Sequence, residues 1–174
     1  AIDANEYYDN TPDESVTAGK ISDATMAWIE AQLDGIKSKK GKVVTGMMHH
    51  GVIEHFMGES VIFPDYLVDD RFARAEDLME AGLKVIFTGH FHGNDAVQLE
   101  AGGLSLTDIE TGSPVSYNSP YRIINLEDGI MSVSTRHITT IDYPGLNGIP
   151  FPEYEAASSF AAFEFLAKYM LMSP

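Results

Sequence analysis

The chain has 174 residues, 44% of them hydrophobic, which is enough for one domain with a substantial core. Its 26 acidic residues outnumber 11 lysines and arginines, and the formal net charge of −15 excludes the cationic surface that nucleic acids and anionic membranes attract. The absence of cysteine excludes disulfides and thiolate sites, and no apolar run approaches the ~20 residues of a membrane span, so we do not expect an integral membrane protein.

The chain begins with an irregular segment followed by an amphipathic helix. Residues 1–20 are the irregular segment, and its first three residues have the character of a strand end. Residues 21–41 predict the helix, with Ser22 as N-cap and Gly41 as its end. Its apolar stripe follows steps of three, four and three residues and consists of Met26, Ile29, Leu33 and Ile36.

A strand, a helix and a second strand come next. The segment 42–48 predicts a buried strand, 65–81 a helix that ends at Gly82, and 85–88 a short strand. This spacing is typical of a βαβ unit with a parallel sheet and a right-handed crossover. The predicted apolar face of the second helix consists of Val68, Phe72, Ala75 and Met79.

The second half of the chain predicts antiparallel strands and a terminal helix. Four short alternating segments, AVQLE, LSLTDIE, YRIINLE and IMSVSTRHI, are separated by turn residues, and EDG at 127–129 predicts a hairpin turn. The segment 153–172 predicts a helix that is apolar around most of its circumference. We therefore divide the chain into a main segment, 1–152, and a C-terminal packing helix, 153–174.

Two histidine clusters follow the two strands of the βαβ unit. His49 and His50 end the first strand, and His90 and His92 follow the second. Ligands gather at the carboxyl ends of parallel strands, so we expect these imidazoles at one edge of the sheet. In extended backbone His90 and His92 point to the same side, whereas His49 and His50 face opposite ways and would not share one metal. Neutral imidazoles bind Zn²⁺, Fe or Mn²⁺, and the sequence therefore predicts His49, His90 and His92 as metal ligands.

These histidines also carry a resemblance to a known family. GMMHHGV (46–52) and TGHFHGND (88–95) resemble the fourth and fifth signature motifs of the calcineurin-like metallophosphoesterases, and ATMAWIEAQL (24–33) resembles the helix before the fourth motif. The resemblance covers roughly residues 20–137. It implies an α/β fold, a β-sandwich of mixed sheets flanked by helices, with two metal ions (Mn, Fe or Zn) at its edge.

The resemblance also implies roles for individual residues. His49 and His90 would bind one metal and His92 the other, and a hydroxide that bridges the metals would attack the phosphorus of a phosphate ester. In this interpretation His50 and His55 line the substrate cleft. From the residues alone, His55 and His137 are expected as satisfied polar side chains. Two further residues are candidates for orienting an imidazole, namely Asn94 and Asp95.

Three motifs that precede these two in the family are absent from the sequence. They are Asp-x-His, Gly-Asp-x-x-Asp and Gly-Asn-His followed by Asp or Glu, and no histidine occurs before position 49. We therefore expect this chain to supply the C-terminal half of the catalytic domain. A missing N-terminal half or a partner chain would supply the rest, and the 174 residues by themselves would be inactive.

Two other functions remain open. The chain could be a non-catalytic metal-binding or interaction module, with its apolar C-terminal helix as the contact surface. It could also be a mononuclear zinc hydrolase that uses three histidines, with Glu54 as the candidate general base. A phosphatase assay with added metal separates the first alternative from a phosphoesterase, and metal stoichiometry identifies the second.

Overall fold

The structure, a computed structural model, describes residues 1–37, 39 and 41–159. The chain divides into two compact units, Ala1–Thr111 and Gly112–Pro174, and the division lies inside the segment that the sequence assigned to one main domain. The helices of the first unit are α1 (Asp23–Lys37), α2 (Glu59–Ile62) and α3 (Arg71–Ala81). Its strands are β1 (Gly46–Met47), β2 (Val85–Thr88), β3 (Ala96–Ala101) and β4 (Leu104–Glu110).

The four strands of the first unit form one mixed sheet in the order β1-β2-β4-β3. β1 and β2 pair in parallel, as do β2 and β4, whereas β3 and β4 form an antiparallel hairpin. The predicted α/β class and the parallel pairing across the βαβ unit are therefore confirmed. The prediction of antiparallel strands was incomplete for β4, because one edge of β4 pairs antiparallel with β3 and the other pairs in parallel with β2.

The core of this unit lies where α1 and α3 meet and where α3 packs against the sheet. α1 begins as predicted, since the Ser22 hydroxyl accepts a hydrogen bond from the Thr25 amide at 3.1 Å. Three of its four predicted stripe residues are buried, and Ile36 is half-buried. The side chains with no exposed surface include Leu78, Ile86 and Leu106.

The second predicted helix starts six residues later than expected. Pro64–Tyr66 forms a short 3-10 turn, and α3 begins after Asp70, whose φ of 51° is left-handed. The intervening Leu67 and Val68 make isolated bridges with Gly51 and Gly19 instead. This pairing keeps the stretch in an extended conformation, so the predicted helical face is partly wrong. Phe72, which was predicted on the apolar face, is 63% exposed, and Leu78 is buried in α3 instead.

Two other segments refine the sequence prediction. β1 is only two residues long rather than seven, because only Gly46 and Met47 pair with β2. The amide of Ile2 donates to the carbonyl of Met47 at 2.8 Å, so the first residues run beside β1, in keeping with the strand end that the sequence suggested.

The second unit contains the predicted hairpin. β5 (Pro120–Glu127) and β6 (Ile130–His137) pair antiparallel as a separate two-stranded sheet. The turn residues Asp128 and Gly129 have φ values of 51° and 80°, the left-handed pair that a tight hairpin requires. Residues 151–159 are helical, and the remainder of the predicted 153–172 helix lies outside the described residues.

A pair of leucines in β4 tests where the core lies. Leu106 is fully buried and Leu104 is 44% exposed in the same strand. We expect Leu106→Ala to lower the free energy of unfolding by about 2–5 kcal/mol, because it leaves a cavity. Leu104→Ala should cost less than about 1 kcal/mol. Urea unfolding monitored by circular dichroism measures both, and equal losses would contradict this placement of the core.

Candidate functional site

Three histidine rings meet at the carboxyl ends of β1 and β2. The ring centroids of His49 and His90 are 4.4 Å apart, those of His50 and His90 4.7 Å, and those of His49 and His50 5.2 Å. His92 lies close enough that its charge contributes to lowering the pKa of both His49 and His90. We call these four residues the histidine rim.

The backbone reaches this arrangement in a way that the sequence did not predict. β1 ends at Met47 and β2 at Thr88, so the histidines follow the strands rather than lie in them. His90 and His92 have φ values of 70° and 63°, so the strand-alternation argument does not apply to them. The rings of His49 and His50 both approach His90, which corrects the expectation that these neighbours face apart.

One backbone carbonyl orients two of the rings. The Thr17 oxygen lies 2.8 Å from Nε2 of His50 and 3.1 Å from Nε2 of His90. A carbonyl oxygen can only accept a hydrogen bond, so each Nε2 carries a proton and, in the neutral ring, Nδ1 carries the lone pair. This arrangement resembles that of metal-bound histidines, which commonly donate their second ring N–H to a carbonyl.

Gly19 lets the His50 ring pack against the backbone. A Cβ atom at position 19 would lie 2.3 Å from Cγ of His50, which no side chain could tolerate. His50 is 1% exposed, and its Nδ1 has no hydrogen-bond partner. His50 was predicted to line the substrate cleft, whereas the structure buries its side chain against the segment that contains Thr17 and Gly19.

The rim favours uncharged imidazoles. His49 is exposed, but its partial desolvation lowers its pKa, and the charges of His50 and His92 lower it further. Burial likewise lowers the pKa of His90, with His49 and His50 adding to the effect and the Thr17 carbonyl opposing it. Since the ordinary histidine pKa is already near 6.5, both rings are neutral at pH 7, which is the form that binds a metal.

The donors suit a divalent transition metal, but the coordination sphere is incomplete. Neutral imidazole nitrogens suit Zn²⁺, Mn²⁺ or Fe, and His49 and His90 approach each other closely. In the part of the chain that the structure describes, however, no three His, Asp or Glu side chains stand together at metal-binding geometry. The rim therefore offers ligands of the right kind, and its side chains would have to move to enclose an ion.

A buried carboxylate lies beneath the rim. Asp108 of β4 has no exposed surface. Its Oδ2 accepts hydrogen bonds from the amides of Val52 at 2.8 Å and Ile53 at 3.2 Å, and its Oδ1 accepts one from the Thr88 hydroxyl. Asp108 thus connects β4 with the end of β2 and with the loop that follows His49 and His50.

His55 lies among acidic residues rather than on an open cleft. Its side chain is 3% exposed, and its Nε2 is 3.7 Å from Asp108 Oδ1 and 4.0 Å from Glu110 Oε2. Its Nδ1 is 3.6 Å from Asp95 Oδ2, so Asp95 faces His55. These are ion-pair distances longer than hydrogen bonds, and neither ring nitrogen of His55 has a hydrogen-bond partner. Burial opposes protonation of His55, but Asp108, Glu110 and Glu59 outweigh it and raise its pKa.

Glu110 completes this acidic layer. The residue is 1% exposed, and its Oε1 accepts a hydrogen bond from the Gly93 amide at 3.0 Å. Burial raises the pKa of Glu110 to about 7, and the charges of Glu59 and Asp108 add to the rise while the Gly93 amide and His55 oppose it. At neutral pH this carboxyl group can therefore hold or release a proton.

The positions of Asp108 and Glu110 in the predicted strand could have indicated this acidic layer. In LSLTDIE, Asp108 and Glu110 fall on the same face as Leu106, because alternate strand residues share a face. Leu106 is a core residue, so two carboxylates follow it on a buried face. Acidic residues in such positions are paired or hydrogen-bonded, and often functional.

Glu54, the candidate base of a mononuclear hydrolase, is already engaged. Its Oε1 lies 3.0 Å from the Ser60 amide and 3.0 Å from Arg71 Nη2. The Ser60 hydrogen bonds lower the pKa of Glu54, and Arg71 adds to this effect. A carboxylate with a lowered pKa is a weak base at neutral pH, so these contacts do not favour that role.

Comparisons with known proteins identify no relative. No family model matches the chain, and none of the curated proteins matches it significantly. Within the described ranges, no helix is both long enough and apolar enough to cross a bilayer. The proposals that follow therefore depend on the geometry of the rim and on the motifs in the sequence.

The acidic layer generates a prediction about pH. The folded-state pKa of Glu110 is about 7, above the ordinary value, so its contribution to stability is complete at low pH and is lost as pH rises through 7. Glu110→Gln is neutral at every pH and keeps an oxygen for the Gly93 amide. Between pH 5 and pH 8 we expect wild type to lose up to roughly 3 kcal/mol relative to this variant.

Urea unfolding in the presence of a chelator measures this difference. The comparison with Glu110→Gln cancels His49 and His90, whose pKa shifts do not involve Glu110, whereas the coupling of His55 to Glu110 is part of the measured difference. A wild-type advantage that stays constant or grows with pH would contradict the buried, proton-holding state of Glu110.

Proposed function

We propose that the histidine rim binds divalent metal and that the protein is a metal-dependent phosphoesterase, with His49 and His90 as ligands of one metal ion and His92 as a ligand of a second. The observation that carries this proposal is the 4.4 Å approach of the His49 and His90 rings at the carboxyl ends of two parallel strands. Neighbouring imidazoles lower each other's pKa, which keeps their nitrogen lone pairs free to bind a metal. The motifs GMMHHGV and TGHFHGND support the same function.

The chain's own residues prepare this site in three ways. The Thr17 carbonyl fixes the ring of His90 with Nδ1 available, and burial keeps His49 and His90 neutral. Asp108 holds the loop that follows His50. A cation bound at the rim would polarise a phosphoryl oxygen and offset its negative charge. That contribution matters for a chain with a net charge of −15, which by itself repels an anionic ester.

A mononuclear zinc hydrolase is the second candidate, and one observation favours it. The ring contacts form a triangle of His49, His50 and His90, so three imidazoles are neighbours without His92. A single tetrahedral ion needs only three protein ligands and one open position. The two candidates share His49 and His90 and differ in one further ligand. The phosphoesterase needs His92, whereas the mononuclear hydrolase needs His50.

Cobalt binding tests the site directly. We expect Co²⁺ to bind with visible absorption of imidazole coordination, and His49→Ala or His90→Ala to weaken its affinity by roughly 100-fold or more, since even residues behind a ligand commonly cost 10–100-fold. His137→Ala is the matched control, because His137 is exposed, lies in the second unit and bonds the Asn118 carbonyl. Orthovanadate should then perturb the cobalt spectrum of wild type.

The outcomes separate the candidates. Loss of the second cobalt ion and of vanadate binding in His92→Ala, with the ion at His49 and His90 kept, supports the phosphoesterase. Loss of cobalt itself in His50→Ala, with no effect of His92→Ala, supports the mononuclear site. Equal cobalt binding by wild type and His90→Ala would contradict both.

A further inference from the structure

An aromatic cluster adjoins the histidine rim. The ring of Phe91 lies 5.2 Å from Phe56, 5.2 Å from Phe63 and 5.4 Å from Tyr66, measured between centroids. The separations and tilts are those of favourable aromatic pairs. We call these four rings, Phe56, Phe63, Tyr66 and Phe91, the aromatic wall.

The wall is continuous with the rim. The Tyr66 ring lies 4.5 Å from that of His90 with an angle of 32° between the planes, and Phe91 separates His90 from His92 in the chain. Phe56 directly follows His55, whose side chain lies among the carboxylates beneath the rim. Any molecule bound at His90 therefore lies beside aromatic surface.

Two rings of the wall remain partly exposed. Phe56 is 36% exposed and Phe63 is 38% exposed, so two of the four rings keep over a third of their surface in water. Buried ring surface stabilises a protein or a complex in proportion to the area removed from water. An apolar group that binds over these two rings would therefore be stabilised, because it removes their exposed surface from water.

We propose that the aromatic wall binds the planar apolar group of an aryl phosphate ester while the phosphoryl group lies at the histidine rim. This inference rests on the proposed function and names its substrate class. The adjoining surface is aromatic, and the chain carries a net charge of −15. Both features favour a single phosphoryl group on an aromatic alcohol over a polyphosphate or a polar aliphatic ester, which would bring more negative charge or leave the rings in water.

Two phosphonates that the protein cannot hydrolyse test this substrate class. Phenylphosphonate carries the aromatic ring, and methylphosphonate carries the same anionic group without it. We expect the cobalt-loaded protein to bind phenylphosphonate about tenfold more tightly, the value of one stacked ring. Calorimetric titration gives both affinities. Cross-relaxation between phenylphosphonate protons and the rings of Phe56 and Phe63, measured on the zinc-loaded protein, locates the bound group independently.

Leucine variants isolate the contribution of the rings. Phe56→Leu combined with Phe63→Leu keeps apolar volume but removes the planar faces, so the tenfold preference should disappear while methylphosphonate binds as in wild type. Phe72→Leu is the matched control, because Phe72 is exposed in α3 and its ring stacks on Arg71 rather than on the wall. It should leave both affinities unchanged.

The failure of this inference is distinguishable from the failure of the proposed function. Equal binding of the two phosphonates overturns the aromatic substrate class and leaves the phosphoesterase proposal standing. If neither phosphonate binds, the phosphoesterase proposal is overturned. In that case benzyl alcohol tests the wall by itself. Cross-relaxation between benzyl alcohol and Phe63 would show that the wall binds an aromatic group, and its absence would overturn the binding role of the wall as well.

Discussion

The candidate site depends on one buried carboxylate. Asp108 has no exposed surface, yet it accepts hydrogen bonds from two backbone amides of the loop after His50 and from the Thr88 hydroxyl at the end of β2. A buried carboxylate with three donors is stabilised, whereas the same amides left unpaired would cost about 1–3 kcal/mol each. The loop that carries the first histidine pair is therefore fixed relative to the strand that carries the second.

The pKa values of the histidines shift in opposite directions in the rim and in the acidic layer. At the rim, neighbouring imidazoles and burial lower the pKa of His49 and His90, so both stay neutral. Beneath it, carboxylates raise the pKa of His55 against the effect of burial. Neutral imidazoles are consequently favoured at the rim, while positive charge is favoured at His55, where it offsets the acidic residues. This separation follows from which residues surround each ring.

Much of the fold could be predicted from periodicity and capping. α1, β2 and the β5–β6 hairpin lie where the Ser22 cap, the apolar run 85–88 and the EDG turn place them. The start of α3 was missed because Leu67 and Val68 pair with distant residues, Gly51 and Gly19. Local propensity cannot register such long-range pairing.

Only the part of the site that depends on the order of strands could be predicted from the sequence. Sequence spacing indicated that the histidines after β1 and β2 would meet, because parallel strands end at one edge of a sheet. The roles of Thr17, Gly19 and Asp108 depend on contacts across 20 to 73 positions, as the Thr88–Asp108 and Thr17–His90 contacts illustrate. A carbonyl carries no sequence signature, so Thr17 could not be found by motif. Asp108 could have been found from its place on the Leu106 face.

A metal site at the rim requires that the Thr17 carbonyl and desolvation prepare neutral imidazoles whose Nδ1 atoms can bind a metal. Long-range proton–nitrogen NMR correlations report the protonated nitrogen of each histidine ring, first without metal and then with one equivalent of Zn²⁺. We expect the Nε2–H form for His50 and His90 without metal, and a coordination shift at His49 and His90 together when zinc is added. Rings of His50 and His90 in the Nδ1–H form, or zinc that shifts only exposed His137, would contradict it.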